Sequence, residues 1–388
     1  MKIGIVTLPL HVNYGGVLQA YALKTLLEGM GHEVVVLDRN DKIWFPKPWK
    51  APFIYMKRAL MRLLKGTSGP EIFREYRLKA EYPHVSSNVA GFTQRYISPR
   101  MISSYTDIRE SDFDAFVVGS DQIWRPVYCK DVRDSYLSFA KNWNVKRVAY
   151  AASFGTEELE YDFQLLEECS DLLSRFDGVS VREVSGVRMC DEWLCCDSAV
   201  HVLDPVMMLS ADHYSSLAAD TLEAKGGVVT YILDRTRGKS EVADFVSRVT
   251  GQSINDVSIY PGDRTIPLRD RIVPPVEAWL ASFMNADFVV TDSFHGCVLS
   301  ILFHKPFLVV GNKARGLARI DSLLEMFGLE SRLVDGIDPD DDGEGWLMDM
   351  DWTRVDEVLA EKRKVSLDFL AEHFKVDGTA DTCQVEEE

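Results

Sequence analysis

Residues 291–296 place a histidine between a predicted strand and an apolar predicted helix. An imidazole can give or take a proton near neutral pH, so His295 is a candidate general acid or base. Asp292 and Ser293 could cap the helix and orient the ring. A histidine at a strand-to-helix turn occupies the place of a ligand-facing residue. A purely structural histidine is the alternative.

Two further segments supply cations after predicted strands. Arg182 follows the strand predicted at residues 178–181, where its guanidinium could hold a carboxylate or phosphate in bidentate fashion. The alternative is an ion pair with Glu183 at the start of a helix, with no ligand. Lys313 and Arg315 lie in the loop after residues 306–310, beside the same expected cleft. An ordinary solvated loop would have the same composition.

The segment Asn13-Tyr14-Gly15-Gly16 lies between the first predicted strand and the first predicted helix. Glycine lets the backbone turn tightly, and a helix N-terminus offers free N–H groups to an anion. The segment is neither the dinucleotide fingerprint nor a P-loop. It is a candidate for binding phosphate or sugar, and a turn without a ligand is the alternative.

Residues 119–124 follow another apolar run and contain three side chains suited to a sugar. Asp121 and Gln122 could hydrogen-bond hydroxyl groups, and Trp124 could stack on a sugar ring. The alternative is an Asx-type turn whose tryptophan fills the core. Taken alone, this segment favours the turn.

Short β-rich runs alternate with amphipathic stretches, which is the pattern of mostly parallel sheets covered by helices. Strands are predicted at residues 3–7, 34–38, 115–119, 148–153, 178–181, 199–202, 228–233, 257–260, 287–291 and 306–310. We expect an α/β protein with two doubly wound Rossmann-like domains facing a cleft. Ligands in such sheets lie beyond the carboxyl ends of the strands.

The crossing between the domains is predicted near Pro205, because proline disfavours helix at the residue before it. The expected division has a first domain at residues 1–203 with an insertion at 41–100, a second domain at 204–350, a C-terminal helix at 351–375 and an acidic tail at 376–388. We expect the C-terminal helix to pack back on the first domain.

Within the insertion, residues 42–66 contain seven cations and no acid, interleaved with tryptophan, phenylalanine and tyrosine. Such a basic aromatic stretch suits an anionic lipid surface. The alternative is an insertion packed on its own domain with a solvated basic rim.

The composition excludes several classes of protein. A formal charge of −17 over 388 residues argues against wide nucleic-acid binding, because phosphates would be repelled. We expect a cytoplasmic protein, since no signal peptide and no apolar run of about 18 residues is found. The seven cysteines lack a disulfide framework and zinc spacing, so we expect reduced thiols and no metal. Residues 338–349 only approximate a calcium loop and are interpreted as acidic surface.

Five segments in this order resemble the polysaccharide pyruvyl transferase family. They are Asn13-Tyr14-Gly15-Gly16, Gly119-Ser120-Asp121-Gln122-Ile123-Trp124, Ser180-Val181-Arg182-Glu183, Asp204-Pro205-Val206 and Thr291-Asp292-Ser293-Phe294-His295-Gly296. The resemblance extends from residue 3 to residue 325. Its motifs are specific to the family but not to one acceptor.

The resemblance implies a fold like that of the GT-B glycosyltransferases, with phosphoenolpyruvate as donor and no cofactor. The pyruvate would become a ketal on two hydroxyls of a sugar, in a surface polysaccharide or its lipid-linked precursor, with loss of phosphate. His295 matches the family's catalytic histidine, as acid or base. Arg182 and Arg315 match its donor-binding arginines, and Lys313 or Arg319 could replace Arg315.

The resemblance also implies the other site residues. Ser293 would join the donor site, and the acceptor would contact Asn13, Tyr14, Gly15, Gly16, Asp121, Gln122 and Trp124. If the glycan is assembled on a lipid carrier, residues 42–66 would form a peripheral contact with the inner face of the membrane. Two alternatives are a GT-B-type glycosyltransferase with a nucleotide-sugar donor and a non-catalytic carbohydrate-binding protein on the same fold.

Overall fold

The computed structural model describes residues 1–39, 45–66, 69–219, 221, 226–263, 265–312, 315–337, 344–347 and 350–374. Lys313, residues 42–44, the acidic run at 338–343 and the tail at 376–388 lie outside the described residues.

The first sheet consists of seven parallel strands, most of them short runs of valine, isoleucine and alanine. They are β1 Lys2–Val6, β2 Glu33–Arg39, β3 Arg100–Ile102, β4 Ala115–Val118, β5 Lys146–Ala152, β6 Gly178–Val181 and β7 Val200–His201. Their order is β3-β2-β1-β4-β5-β6-β7. Strands buried on both faces need apolar residues throughout, which explains why β4 reads Ala-Phe-Val-Val.

The second sheet consists of five parallel strands. They are β8 Val228–Tyr231, β9 Ile254–Asp256, β10 Phe288–Thr291, β11 Phe307–Val310 and β12 Leu333–Val334. Their order is β12-β11-β10-β8-β9. The prediction of two doubly wound α/β sheets is confirmed.

Fourteen α-helices lie among the described residues. They are α1 Tyr14–Gly29, α2 Ala51–Lys65, α3 Arg74–Val85, α4 Ser87–Phe92, α5 Phe163–Leu173, α6 Val184–Glu192, α7 Pro205–Met208, α8 Ala211–Ala218, α9 Arg237–Thr250, α10 Val276–Met284, α11 Phe294–Leu302, α12 Ala318–Phe327, α13 Glu344–Leu347 and α14 Trp352–Phe374. Because α1 begins at Tyr14, the two glycines lie in its first turn and not in the loop before it.

The predictions missed the short edge strands. β3 and β12 have three and two residues and no periodicity to detect. The strand predicted at residues 257–260 is wrong, since β9 ends at Asp256. Ser258 and Tyr260 instead use their hydroxyls, which bond the backbone of Ile232.

Each sheet has one point at which successive strands begin to be added on the opposite side of the first strand. In the first sheet this point lies between β1 and β4, and in the second between β8 and β10. The loops diverge there at the carboxyl ends of the strands and leave a crevice, which is the usual ligand position in open α/β sheets.

Within the part of the chain that the structure describes, one of the three clusters of buried apolar side chains spans both sheets. It runs from Ile5 and Leu18 to Val289, Leu299 and Leu370. Helix α14 returns to the first sheet, where Lys146 Nζ donates to the carbonyl of His373 at 2.6 Å. The division of the chain at residue 203 stays a prediction.

Candidate active site

Four polar residues meet between the sheets because each lies within four residues of the carboxyl end of a strand. Asp121 follows β4, Arg182 follows β6, and His295 is the second residue of α11, after β10. Asp204 follows β7 and accepts from the amide of Val206 at 3.0 Å, which caps α7. All four are buried. The structure therefore brings together Asp121, Arg182 and His295, three of the residues singled out by their motifs.

The guanidinium of Arg182 is fully buried between two carboxylates. Nη1 donates to Oδ2 of Asp204 at 2.7 Å, and Nη2 donates to Oδ1 of Asp121 at 3.1 Å. Burial alone would raise the pKa of the Asp121 carboxyl, but Arg182, followed by His295 and Arg319, holds it below its usual value. Arg182 thus fixes the positions of two acids at the centre of the site.

His295 is a neutral imidazole at physiological pH. Burial, reinforced by the charge of Arg182, lowers its pKa to about 4, although Asp204 acts in the opposite direction. Nε2 of His295 has no hydrogen-bond partner among the described residues. Oδ1 of Asp204 lies 3.8 Å from Nε2, which is too long for a hydrogen bond but close enough to stabilise an imidazolium.

Gly15 lets the first domain approach this imidazole. A β-carbon built on Gly15 would stand 2.1 Å from Nδ1 of His295, well inside van der Waals contact. The first turn of α1 therefore packs directly against the ring. Only glycine fits there without displacing the histidine.

Arg319, on α12, is a second buried guanidinium in this cluster. Its Nε has no hydrogen-bond partner, and among the described residues no carboxylate lies within ion-pair distance of it. Burial, reinforced by Arg182, lowers its pKa to about 10. Arg182 and Arg319 both lie over the ring of Phe294, at 4.9 Å and 5.7 Å from its centroid. Arg319 is thus a cation held in place without a counter-ion of its own.

Arg315 is occupied elsewhere. Its Nε and Nη2 donate to the two carboxylate oxygens of Asp234 at 2.6 Å and 3.0 Å, and its side chain is partly exposed. This pair lowers the pKa of Asp234 to about 2. The backbone carbonyl of Arg315 accepts from Gln122 Nε2 at 3.3 Å and from Arg125 Nη1 at 3.2 Å. Arg315 therefore joins the two domains through its peptide oxygen.

Asn13, Gly16 and Asp121 line one pocket of about 340 Å³ at the carboxyl ends of β1, β2 and β4. Its other polar wall residues are His11, Arg39, Tyr128 and Lys130. Asn13 also caps α1, since its Oδ1 accepts from the amide of Gly15 at 3.2 Å. This pocket collects three of the residues expected to contact an acceptor.

Tyr14 and Trp124 lie in the core instead. The Tyr14 ring stacks on Trp279 and its hydroxyl donates to the carbonyl of Pro274 at 2.8 Å. Trp124 stacks on Tyr136 and is fully buried, with Nε1 bonded to the carbonyl of Ser135. The expectation that Trp124 offers a stacking face to a sugar is corrected, because that face is covered by protein. Trp124 fills the core, as the alternative interpretation had it.

Ser293 is buried directly before α11 and its carbonyl accepts from the thiol of Cys297. Gln122 reaches across to the carbonyl of Arg315, so its amide bridges the domains in this structure. The roles of Ser293 at the donor and of Gln122 at the acceptor stay predictions.

The family model for polysaccharide pyruvyl transferase matches residues 13–314, most of the chain and all five motifs. This chain belongs to the polysaccharide pyruvyl transferase family. The resemblance inferred from the motifs is confirmed, and membership of the family supports a transferase activity. No curated protein matches the chain.

Several solved structures resemble this pyruvyl transferase in fold. Arabidopsis thaliana UGT89C1 complexed with UDP-L-rhamnose has a TM-score of 0.47 and 10% identity, covering 95% of this chain and 94% of that one. Sucrose-phosphate synthase from Thermosynechococcus elongatus has a TM-score of 0.41 and 13% identity, covering 95% and 94%. E. coli heptosyltransferase WaaC with ADP-2-deoxy-2-fluoro heptose has a TM-score of 0.35 and 13% identity, covering 80% and 88%.

None of the helices described for this pyruvyl transferase has both the length and the apolar content needed to cross a bilayer. Across the described ranges, no three His, Cys, Asp or Glu side chains gather in a way that would hold a metal ion.

Two residues of the cluster were not placed in the site by sequence reasoning alone. Asp204 was predicted only as part of a family motif and of the domain crossing, although an acid before a proline is the usual N-cap of a short helix. Arg319 was named as a replacement for Arg315 and had no strand end to mark it. Its signal was its position between Ala318 and Ile320, on the buried side of α12.

Proposed function

We propose that this transferase moves the enolpyruvyl group of phosphoenolpyruvate onto a sugar of a surface polysaccharide or its lipid-linked precursor. The product is a pyruvate ketal, and phosphate is released. One observation supports this most strongly. A buried, neutral imidazole lies in one cluster with two guanidinium groups, and within the described part of the chain its Nε2 has no partner and one of the guanidinium groups has no counter-ion.

The donor carries a carboxylate and a phosphate, so it needs fixed cations and few competing acids. Arg319 supplies the free charge in the proposal and takes the place expected for Arg315, whose guanidinium is bound to Asp234. The positive charge of Arg182 adds to the electrostatic potential at the donor, but its Nη atoms are bound to Asp121 and Asp204. Lys313 and Ser293 keep their expected places beside the donor.

His295 relays a proton in the proposed reaction. C3 of the donor takes up a proton from solvent, which makes C2 an oxocarbenium-like centre. A sugar hydroxyl then bonds to C2, and the neutral Nε2 takes the proton that this hydroxyl loses and later returns it to solvent. Asp204, 3.8 Å from Nε2, stabilises the imidazolium that forms in between. A second hydroxyl of the sugar then displaces phosphate from C2, and its proton leaves with the phosphate. Arg319 stabilises the charge on that leaving group.

The acceptor sugar would enter from the pocket lined by Asn13, Gly16 and Asp121. Asp121 belongs both to this pocket and to the Arg182 pair, so the pocket ends at the proposed reacting centre. We place the reaction in the cytoplasm, peripherally at the inner face of the membrane. Because His295 and Arg182 are almost entirely covered, the donor binds when the two domains part.

Phosphate release from phosphoenolpyruvate in the presence of candidate glycans tests the proposal. We expect release that depends on the glycan, a pyruvyl mass increase on the sugar, and loss of both in His295→Ala. His304→Ala is the matched control, since His304 is half exposed and bonds Asp356 on the surface. Full activity of His295→Ala would remove the imidazole from the mechanism.

Thermal shift separates the proposal from its alternatives. Phosphoenolpyruvate should raise the Tm of the wild-type protein, because a ligand that binds only the folded state stabilises it. A shift with a nucleotide sugar instead would favour the glycosyltransferase. Binding of glycans without turnover of any donor would favour the carbohydrate-binding protein.

A further inference from the structure

Helix α2, Ala51–Lys65, buries none of its side chains. A surface helix of a globular protein normally turns its apolar stripe toward the core. Helix α11 shows the other extreme, with all nine residues buried. Core packing therefore does not account for the apolar residues of α2.

The exposed apolar side chains of α2 form one stripe. They are Phe53, Met56, Leu60, Leu63 and Leu64, each between 58% and 83% exposed. Their spacings of three and four residues place them on one face of the helix. Trp49, just before the helix, is equally exposed. We call these six residues the outer stripe.

The opposite face of α2 is tied to α3, Arg74–Val85. The guanidinium of Arg58 donates to both carboxylate oxygens of Glu75, at 2.9 Å and 2.8 Å, and to the carbonyl of Ile72 at 3.1 Å. The ring of Tyr55 lies 5.1 Å from that of Phe73. These contacts fix the rotation of α2, so the outer stripe points away from the protein.

The segment that carries the outer stripe is rich in cations and has no acid. Lys47, Lys50, Lys57, Arg62 and Lys65 all lie within residues 45–66, which contain no aspartate or glutamate. The whole chain carries a net charge of −17, so this segment is positive in an otherwise acidic protein. An apolar face on a helix of a basic segment, with a tryptophan beside it, matches an anionic lipid interface in both polarity and charge.

We propose that α2 lies in the headgroup region of an anionic bilayer, with the outer stripe among the acyl chains and the lysines at the phosphates. This refines the interpretation of residues 42–66 as a basic aromatic stretch on a lipid surface, because Arg58 is bound to Glu75 and the apolar stripe carries the contact.

The same insertion reaches the acceptor pocket. Seven residues beyond Glu75, roughly 10 Å along α3, the hydroxyl of Tyr82 lies 3.4 Å from Nδ1 of His11. His11 lines the pocket that holds Asn13 and Asp121. Docking through α2 would bring that pocket toward a sugar held on a lipid, and this last step rests on the proposed function.

Vesicle co-sedimentation of the full-length protein tests the docking without donor or acceptor. We expect binding to phosphatidylcholine vesicles that contain phosphatidylglycerol, weaker binding in high salt, and little binding to phosphatidylcholine alone. The double variant Leu60→Glu/Leu63→Glu should bind about tenfold less or weaker still. Leu367→Glu, which changes an exposed leucine on α14, is the matched control and should bind like the wild type.

Equal binding of the double variant and the wild type would overturn the proposal. Failure of the wild-type protein to bind anionic vesicles would overturn it as well. A wild-type dimer that the Leu60→Glu/Leu63→Glu substitutions dissociate would also overturn it, because the outer stripe would then pack against a second copy of the chain. Phosphate release with a soluble glycan should be unchanged in the double variant. Vesicle binding without any phosphate release would leave the docking intact and contradict the proposed function instead.

Discussion

Nδ1 of His295 lies where a side chain at Gly15 would begin, 2.1 Å from the position of its β-carbon. The glycine is required by the imidazole of the other domain and not by its own backbone, which is helical. The first turn of α1 therefore acts as a template for the ring. Any side chain at this position would push the ring, the domain, or both, out of place.

Gly15→Ala should reduce turnover by about 100-fold, because a displacement of roughly 1 Å at a reacting group has an effect of that size. The measurement is the steady-state rate of phosphate release. Gly29→Ala is the control in the same helix, since a β-carbon there meets nothing within 4 Å. That variant should keep its activity and gain about 0.5–1 kcal/mol in the free energy of unfolding. Wild-type turnover in Gly15→Ala would show that the first turn of α1 does not position the imidazole of His295.

Arg182→Met should lower the free energy of unfolding by about 3–5 kcal/mol, because it leaves two buried carboxylates without their cation. Urea unfolding measures this loss. Arg237→Met removes a surface pair with Glu241 and should change the free energy by less than about 0.5 kcal/mol. A loss in Arg182→Met no larger than in this control would mean that Arg182 does not hold the acids in place.

Arg319→Met should raise the KM for phosphoenolpyruvate by about 100-fold, the value of one charged hydrogen bond to the donor. The free energy of unfolding should fall far less than in Arg182→Met, because among the described residues no carboxylate lies within ion-pair distance of Arg319. Arg315→Met should change the KM far less. The reverse ranking of the two variants would return Arg315 to the donor site.

The stability of the protein should fall between pH 6.5 and pH 4 in a way that depends on His295. Its pKa is about 4 in the folded chain and about 6.5 in the unfolded chain, so in this window the unfolded state binds more protons. The neutral imidazole thus contributes stability above pH 6.5 that is lost as the pH falls toward 4, on the order of 3 kcal/mol.

Urea unfolding of the wild type and of His295→Gln at pH 7.5 and pH 4.5 measures this dependence. The variant should lose less stability than the wild type over the same interval. The control is His304→Gln, whose exposed ring bonds Asp356. Parallel losses in wild type and His295→Gln would show that the imidazole does not resist protonation.

The position of the site could be predicted from the sequence, but the pairing within it could not. Apolar runs followed by polar residues identify the carboxyl ends of strands, and parallel strands bring these ends to one edge. This is why Asp121, Arg182 and His295 were expected near one another. Whether a guanidinium at that edge meets a ligand or two acids depends on how the loops after neighbouring strands of one sheet fold together, which short-range patterns do not encode.

Arg319 and Trp124 show the same limit from opposite sides. An arginine on an amphipathic helix is expected in solvent, yet Arg319 turns inward because α12 is buried along most of its length. A tryptophan after a strand end is expected to face the site, yet Trp124 fills the space beside Tyr136. In both cases the side chain occupies space that the surrounding elements leave in the interior, and that space is a property of the whole fold.

The single carbonyl of Arg315 that accepts from both Gln122 and Arg125 has a kinetic consequence. This carbonyl is one of the contacts that hold the two sheets together over His295 and Arg182, so in the proposed reaction the donor and the released phosphate would pass only after such contacts break. The rate at which the two sheets separate would then limit turnover, and a more viscous solvent would lower the turnover rate even if the chemical step were fast.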